Sequence, residues 1–269
     1  MDEADALLVD RPHPEILRLT LNRPERMNAL TYEVVNKLND ILDSLVEDTQ
    51  TRAVIITGNG RGFCSGQDMK KAAERMEPGG STIVTRYASQ TRFGSMSQRM
   101  ARAPQPIICA VNGAAVGAGM AIAVGADIRI GTPATRFLIG AVKIGLSAGE
   151  SSISYWLPRW IGPGRAFEVM LTGRPIDAQE ALATGLITRC VEPEELQDAA
   201  IAQAVAILEN APFSTWHTKR IMRRNLDATS LDAALDVENP TQIVTNATED
   251  YREAVAAFNE KRKPVWRGR

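Results

Sequence analysis

The sequence predicts an α/β fold in which β-β-α units repeat through about residue 200, followed by a helical extension over residues 201–269. Two short strands, a helix and a third strand follow one another in the first 57 residues, and the same alternation returns after residue 117. Beyond Glu192 the apolar pattern is helical only. The chain has 269 residues, of which 44% are hydrophobic, and this suffices for a full core.

Two strands open the chain, over residues 6–9 and 15–21, and a proline-containing turn at residues 11–14 joins them. The second strand alternates polar and apolar side chains, which indicates one buried face. Thr31 has the residue type of a helix N-cap. The helix after it carries apolar side chains at helical spacing, which predicts that one face packs on a sheet: Val34, Val35, Leu38, Ile41, Leu42 and Leu45.

A strand is predicted over residues 52–57, because it is an apolar, β-branched run that ends in a glycine turn. Helices are predicted from about residue 67 to residue 76 and over residues 82–101. A glycine-rich break at residues 78–81 separates them and predicts a mobile segment.

The stretch from Pro106 to residue 127 organises the rest of the chain. Residues 107–111 form a short apolar run that predicts a buried strand. Residues 117–124 are mostly Gly and Ala, with one Met, one Ile and one Val, so they predict a helix that lies close to its neighbours. Strands are predicted at residues 126–130 and 135–138.

The last part of the core contains three helices and one strand. The predicted elements are a loop at 142–149, helices at 150–160, 165–171 and 178–184, and a strand at 186–188. Asp177 and Glu180 form a capping box at the third helix, and Gly185 provides its C-cap. The helices after Glu192 carry too few apolar residues for a separate core, so we expect the extension to pack on other subunits.

The composition excludes several classes of function. Lys and Arg total 31 against 32 Asp and Glu, and this net charge of −1 gives no footprint for nucleic acid. No apolar run approaches the length that spans a bilayer, so neither a nucleic acid nor a membrane is expected as a partner. The N-terminus, Met1-Asp-Glu-Ala-Asp5, lacks the apolar core of a signal peptide, which predicts a cytoplasmic location.

Cysteine and histidine give no sign of a metal site. Cys64, Cys109 and Cys190 are scattered, without the spacing of metal ligands, and are expected to be reduced thiols. His13 and His217 are the only histidines, and neither lies near a nucleophile motif. The sequence therefore predicts neither a bound metal nor a histidine-based triad.

The loop at residues 116–119 has three interpretations. A helix that begins here presents unpaired backbone N–H groups, and these favour an anion. A dinucleotide site is poorly supported, because Ile122 stands where the third glycine of that motif belongs. A second interpretation is a glycine turn that serves close packing. A third requires a partner loop, and residues 61–68 supply one, because two such loops can aim two N–H groups at the oxygen of a thioester enolate.

Three motifs carry a family resemblance: Leu21-Asn-Arg-Pro-Glu-Arg-Met-Asn-Ala-Leu30, Phe63-Cys-Ser-Gly-Gln-Asp68 and Ala110-Val-Asn-Gly-Ala-Ala-Val-Gly-Ala-Gly119. In this order and spacing, over nearly the whole chain, the sequence resembles the crotonase, or enoyl-CoA hydratase/isomerase, superfamily. The resemblance implies a crotonase-like ββα spiral and an acyl-CoA thioester substrate, with coenzyme A as part of the substrate and no separate cofactor. It also implies a homotrimer or a dimer of trimers.

By the same resemblance, the oxyanion donors are the backbone N–H groups of Gln67 and Ala118, beside Gly66 and Gly117. The family's contacts to coenzyme A correspond to these residues: Arg26, Asn28, Ala29, Ser65, Asp68 and Met69. Asp68 is a rival base by its proximity, but the motif assigns it to bracing the loop. Near the C-terminus, Lys261 and Arg262 are either contacts for the phosphates of coenzyme A in a neighbouring subunit or ordinary surface charges.

The acid and base positions depart from the hydratase pattern. Family hydratases hold a water between two Glu residues, and the corresponding positions here are Ala121 and Ala141. Ala141 is still expected to contact the substrate. Glu150 is similar to the single Glu of the Δ3,Δ2-enoyl-CoA isomerase branch, although it also has the position of a surface residue at a helix start. Three functions remain open: an isomerase that uses Glu150, a hydratase with a non-standard base, and a non-catalytic acyl-CoA-binding protein.

Overall fold

The computed structural model describes residues 3–74 and 81–268. Its nine strands among the described residues are β1 (Leu7–His13), β2 (Ile16–Leu21), β3 (Ala53–Gly58), β4 (Ile107–Val111), β5 (Ala114–Val116), β6 (Ile128–Gly131), β7 (Arg136–Leu138), β8 (Ile176–Asp177) and β9 (Arg189–Cys190). The α-helices described are α1 (Tyr32–Ser44), α2 (Met69–Glu74), α3 (Ile83–Arg102), α4 (Ala118–Gly125), α5 (Ile153–Ile161), α6 (Pro163–Thr172), α7 (Ala178–Ala183), α8 (Leu196–Leu208), α9 (Pro212–Asn225), α10 (Leu231–Asn246) and α11 (Glu249–Glu260).

The strands form two sheets, and the predicted α/β fold is confirmed. The larger sheet has the order β1-β2-β3-β4-β6-β9, with an antiparallel hairpin at one edge and parallel pairing elsewhere. The smaller sheet has the order β5-β7-β8, in which β5 and β7 are parallel. Because parallel neighbours require helical crossovers, α1, α3 and α4 lie between consecutive strands of the large sheet.

The core has two layers, one on each face of the large sheet. Strands β3 and β4 are buried along their whole length, in keeping with their largely apolar sequences. One face packs against α1, α3, α4 and α5, and the other packs against α8. Thr31 caps α1 by accepting a hydrogen bond from the backbone N–H of Val34, and Asp177 caps α7 in the same way.

Helix α9 is fixed to the core by buried charges. The ammonium group of Lys219 donates to the carbonyl oxygens of Met100 and Gln105 and pairs with Asp127 at 2.9 Å. Arg223, one turn further along α9, pairs with the same carboxylate at 2.7 Å. The division at residue 200 stays a prediction, and residue 200 lies within α8.

The helices that follow α9 carry little buried surface. No residue of α10 is buried in the chain, and large apolar side chains stand exposed on α10 and α11, with Phe258 84% exposed. Among residues 3–74 and 81–268, every helix is too short or too polar to cross a lipid bilayer.

Several predicted elements have other bounds. Residues 75–80, which carry the predicted end of the helix at 67–76 and most of the glycine-rich break, lie outside the described residues. The strand predicted at 186–188 is wrong, because Leu186 and Ile187 are buried in a bend, hydrogen bonding to β6 begins only at Thr188, and β9 itself covers Arg189–Cys190. The helix predicted from Glu150 begins instead at Ile153.

Candidate active site

The two glycine loops lie side by side. The backbone N–H groups of Phe63 and Cys64 both donate to the carbonyl oxygen of Ala114, at 3.1 and 3.0 Å. The N–H group of Val116 donates to the carbonyl oxygen of Cys64 at 2.8 Å. These bonds form a parallel bridge between Cys64 and Ala115, so the loop that follows β3 and the loop that precedes α4 have a fixed register.

Two glycines permit this close approach. Gly66 has a φ of +87°, and a Cβ atom there would lie 2.7 Å from the carbonyl oxygen of Val116 and 3.4 Å from the backbone nitrogen of Ala118. A Cβ atom on Gly119 would lie 2.4 Å from the carbonyl oxygen of Cys64. Both distances to carbonyl oxygen are shorter than any side chain tolerates, so this junction requires glycine at both positions.

The backbone N–H groups of Gln67 and Ala118 have no hydrogen-bond acceptor within residues 3–74 and 81–268. Leu30 donates to the carbonyl oxygen of Gly66 at 2.7 Å and accepts from the N–H of Asp68 at 2.9 Å, which turns the N–H of Gln67 to the other side of the strand. Ala118 is the first residue of α4, where N–H groups have no partner inside the helix. The geometry thus provides two free donors on adjacent loops.

Glu150 lies beside the second of these loops. Its Oε1 atom is 3.4 Å from the position that a Cβ atom on Gly117 would occupy. The side chain is half-buried, and burial raises the pKa of Glu150 above its ordinary value. Gly117 itself has a φ of +49° and precedes Ala118, so the carboxylate stands next to a free donor.

Glu150 is not at a helix start, which corrects the sequence-based expectation. It precedes the N-cap residue Ser152, and both Ser151 and Ser152 adopt positive φ angles, 46° and 73°. Such angles are uncommon outside glycine, and sequence patterns do not reveal them. Burial is the cause that raises the pKa of Glu150.

A cavity of about 570 Å³ opens at Gln67. Its described lining comes from the start of α1, from α2, from α3 and from the loop before α5: Tyr32, Gln67, Met69, Ala72, Ser81, Ile83, Thr85, Arg86, Tyr87, Ser89, Gln90 and Leu146. The side-chain amide of Gln67 donates to the hydroxyl of Tyr32 at 3.3 Å. A larger cavity of about 680 Å³ lies between α8 and α9, but none of the predicted site residues lines it.

A family model described as enoyl-CoA hydratase/isomerase matches residues 13–269. The chain belongs to the enoyl-CoA hydratase/isomerase family. The probable enoyl-CoA hydratase echA12 of Mycobacterium bovis is 41% identical over 263 residues, which cover 97% of this chain and 92% of that protein. The 1,2-epoxyphenylacetyl-CoA isomerase of Escherichia coli is 34% identical and covers 94% of this chain and 95% of its own length.

A solved structure agrees with the sequence comparison. The crystal structure of a probable enoyl-CoA hydratase/isomerase from Mycobacterium abscessus has a TM-score of 0.89 and 38% identity, and covers 98% of this chain and 99% of that one. The resemblance inferred from the three motifs is therefore confirmed. As a member of this family the chain is an acyl-CoA enzyme, and the names of its relatives include both hydratases and isomerases.

The two alanines at the hydratase positions are both buried. Ala121 lies in the first turns of α4, and Ala141 begins a short 3-10 helix over Ala141–Ile144. Neither side chain can exchange a proton. Among the candidate residues of this enoyl-CoA hydratase/isomerase site, Glu150 and Asp68 are the carboxylates.

Asp68 is engaged in holding the loop together. Its carboxylate pairs with Arg23 at 3.0 Å and accepts from the backbone N–H of Lys71 in α2. Burial raises the pKa of Asp68, but the hydrogen bonds from Arg23 and the α2 backbone outweigh it, so the pKa lies below its ordinary value. A carboxylate that is so stabilised in its ionised form is a weak base.

The residues predicted to contact coenzyme A lie on two adjoining loops. Ser65 donates from its backbone to Met27 at 2.9 Å and from its hydroxyl to the carbonyl oxygen of Arg26 at 3.3 Å. The buried amide of Asn28 donates to the carbonyl oxygens of Gly62 and Phe63. Ala29 follows in the same loop, and Met69 begins α2 with 55% of its surface exposed.

Sequence reasoning missed two residues that shape the site. Arg23 pairs with Asp68 and also donates to the carbonyl oxygen of Ala29. Tyr32 lines the cavity and accepts a hydrogen bond from the side-chain amide of Gln67. It follows directly after the helix-capping residue Thr31, which could be recognised from the sequence. The basic residue Arg262 near the C-terminus pairs with Glu253 and Glu260 within the chain.

Proposed function

We propose that this protein is an enoyl-CoA isomerase that moves a double bond from the 3,4 to the 2,3 position of an acyl-CoA thioester. One observation carries the proposal: the half-buried Glu150 stands beside Gly117 and Ala118, while both hydratase positions are alanine. One carboxylate suffices for a proton shift, whereas adding water needs a group that activates the water. The test is to follow 3-enoyl-CoA turnover in wild type and in Glu150→Gln.

The proposed steps balance without a co-reactant. The thioester oxygen accepts hydrogen bonds from the N–H groups of Gln67 and Ala118. The carboxylate of Glu150 removes a proton from the α-carbon, and the electron pair passes to the oxygen as a dienolate that the two donors stabilise. The resulting carboxylic acid returns the proton to the γ-carbon as the 2,3 double bond forms. Glu150 ends each cycle ionised again.

The pH dependence follows from the position of Glu150. A carboxylate accepts a proton only when it is ionised, so kcat is expected to fall as the pH drops through the pKa of Glu150. Because burial raises that pKa above 4.5, the acid limb of the kcat profile should be centred above pH 4.5. A limb centred at or below that pH in wild type would contradict the assignment.

The raised pKa of Glu150 also affects the stability of the fold, and its pH dependence is opposite to that of the many carboxylates whose pKa is lowered by folding. The folded protein binds the proton of Glu150 more tightly than the unfolded chain does. The stabilisation from this group is therefore present below its unfolded pKa and is lost as the pH rises through the folded pKa. Neutralising the group should for this reason not destabilise the fold at neutral pH.

A hydratase with a non-standard base is the second candidate, and the name of the Mycobacterium bovis relative favours it. It would need a base at a place other than Ala121 and Ala141. Hydration of a 2-enoyl-CoA that survives Glu150→Gln would support this candidate over the isomerase.

We propose further that the C-terminal helices join copies of the chain into a trimer or a dimer of trimers. Monomeric proteins seldom expose large apolar surfaces to solvent. The proposal is supported by the exposed apolar side chains of α10 and α11, which are Leu231, Ile243, Val244 and Phe258. Light scattering on the purified protein should give three or six times the mass of one chain. A monomer that persists at micromolar concentration would contradict the proposal.

A further inference from the structure

The cavity that opens at Gln67 has one apolar wall that faces outward from the core. Ile83 and Tyr87 stand on successive turns of α3, 82% and 76% exposed, and both line the cavity that begins at Gln67. Met69 and Leu146, also largely exposed, line it from α2 and from the loop before α5. A substrate chain that leaves the thioester site at Gln67 would thus run along apolar side chains.

Arg86 interrupts this apolar wall with a positive charge. It lies between Ile83 and Tyr87 on α3, and its side chain lines the cavity. Among the described residues that line the cavity, Arg86 is the only one with a charged side chain. Among residues 3–74 and 81–268, no carboxylate forms an ion pair with it. Arg92, two turns further along α3, differs in that it donates to the side chain of Asn36.

We propose that the acyl group of the substrate carries a carboxylate at its far end, which Arg86 binds. This inference rests on the proposed function, because it places the thioester at Gln67 and Ala118. A guanidinium group presents paired N–H donors that match the two oxygens of a carboxylate, and the flanking apolar side chains suit the methylene groups between the two ends. The substrate class is then a dicarboxylic acid held as its mono-CoA thioester.

Phosphate groups of coenzyme A are the competing anions for Arg86. They occur in every CoA thioester, whereas the distal carboxylate occurs only in the dicarboxylic class. Two saturated thioesters of equal length, hexanoyl-CoA and adipoyl-CoA, separate these sources, and neither contains a double bond to isomerise. Their affinities can therefore be measured by calorimetry whether or not the isomerase activity exists.

Wild type is expected to bind adipoyl-CoA about fivefold more tightly than hexanoyl-CoA, the upper range for an exposed ion pair. Arg86→Gln should remove this preference and leave the affinity for hexanoyl-CoA unchanged, and Arg86→Lys should keep part of it. Arg92→Gln is the matched control on the same helix and should keep the full preference. Added salt should weaken the preference in wild type.

Two results would overturn the inference. One is equal affinity of wild type for the two thioesters. The other is an equal loss of both affinities in Arg86→Gln, which would assign Arg86 to the phosphates. If hexanoyl-CoA binds tightly without any preference for adipoyl-CoA, the substrate class fails and the proposed function stands. If neither thioester binds, both fail.

Discussion

Replacing Ala118 with proline is expected to lower 3-enoyl-CoA turnover by about 10²–10³-fold, the usual effect of losing one oxyanion donor. Proline has no N–H group, so the substitution removes the donor itself, and the ring would also crowd the place of the thioester oxygen. The fold should tolerate the change, because Ala118 is the first residue of α4 and proline is favoured there. Steady-state kinetics and calorimetry with an enoyl-CoA measure the two effects.

Ala118→Ser is the matched control, because it changes the side chain and keeps the backbone donor. It should retain turnover within a few fold of wild type. A thermal melt of both variants separates a lost donor from a lost fold. Full turnover in a folded Ala118→Pro protein would remove Ala118 from the site.

Replacing Glu150 with glutamine is expected to lower isomerisation by about 10²–10⁴-fold, the contribution typical of a positioned acid or base. Glutamine has nearly the same shape but cannot accept the α-proton. Binding of a saturated acyl-CoA should persist, since neither donor N–H group changes. The measurement is kcat for a 3-enoyl-CoA together with the dissociation constant of hexanoyl-CoA.

Two further variants control this result. Glu150→Asp keeps a carboxylate but withdraws it from the substrate, so it should retain part of the activity. Glu168→Gln removes a glutamate that pairs with Arg174 on the surface and should leave turnover unchanged. Isomerisation that persists at the wild-type rate in Glu150→Gln would show that another group moves the proton.

Much of the fold could be predicted from local sequence. The runs at β3 and β4 are mostly apolar, because both faces of these strands are covered, and such runs are recognisable without a structure. Thr31 and Asp177 mark helix starts by a side-chain chemistry that acts within three residues. The small residues of α4 are likewise visible in the sequence, and tertiary contacts explain two of them, because Gly119 lies against Cys64 and Gly125 against Ser97.

Secondary-structure elements that depend on pairing with strands far away in the sequence were not predicted. Strands β5 and β8 have only three and two residues, and they exist because β7 pairs with both. Residues 186–188 have the composition of a strand, but the chain makes its first hydrogen bond to β6 only at Thr188. Tertiary contacts decide where such short strands form, and local propensity does not reflect those contacts.

The site shows the same division. The motifs predicted Gln67, Ala118 and the two alanines as site positions, because glycine requirements and residue identities are visible in the sequence, and these assignments stay predictions. The turn before α5 was misjudged, since Ser151 and Ser152 adopt glycine-like angles without glycine. The cavity that joins Tyr32, Gln67 and Arg86 could not be predicted, because its walls come from separate segments of the chain.

We propose that a single carboxylate, Glu150, shifts a proton without adding water. The most direct test offers the purified protein a 3-enoyl-CoA and a 2-enoyl-CoA of equal chain length and follows the products by chromatography and mass spectrometry. We predict conversion of the 3-enoyl to the 2-enoyl thioester at unchanged mass, with little product that has gained one water, and loss of this conversion in Glu150→Gln. Efficient formation of a 3-hydroxyacyl-CoA from the 2-enoyl thioester, unaffected by Glu150→Gln, would contradict the claim.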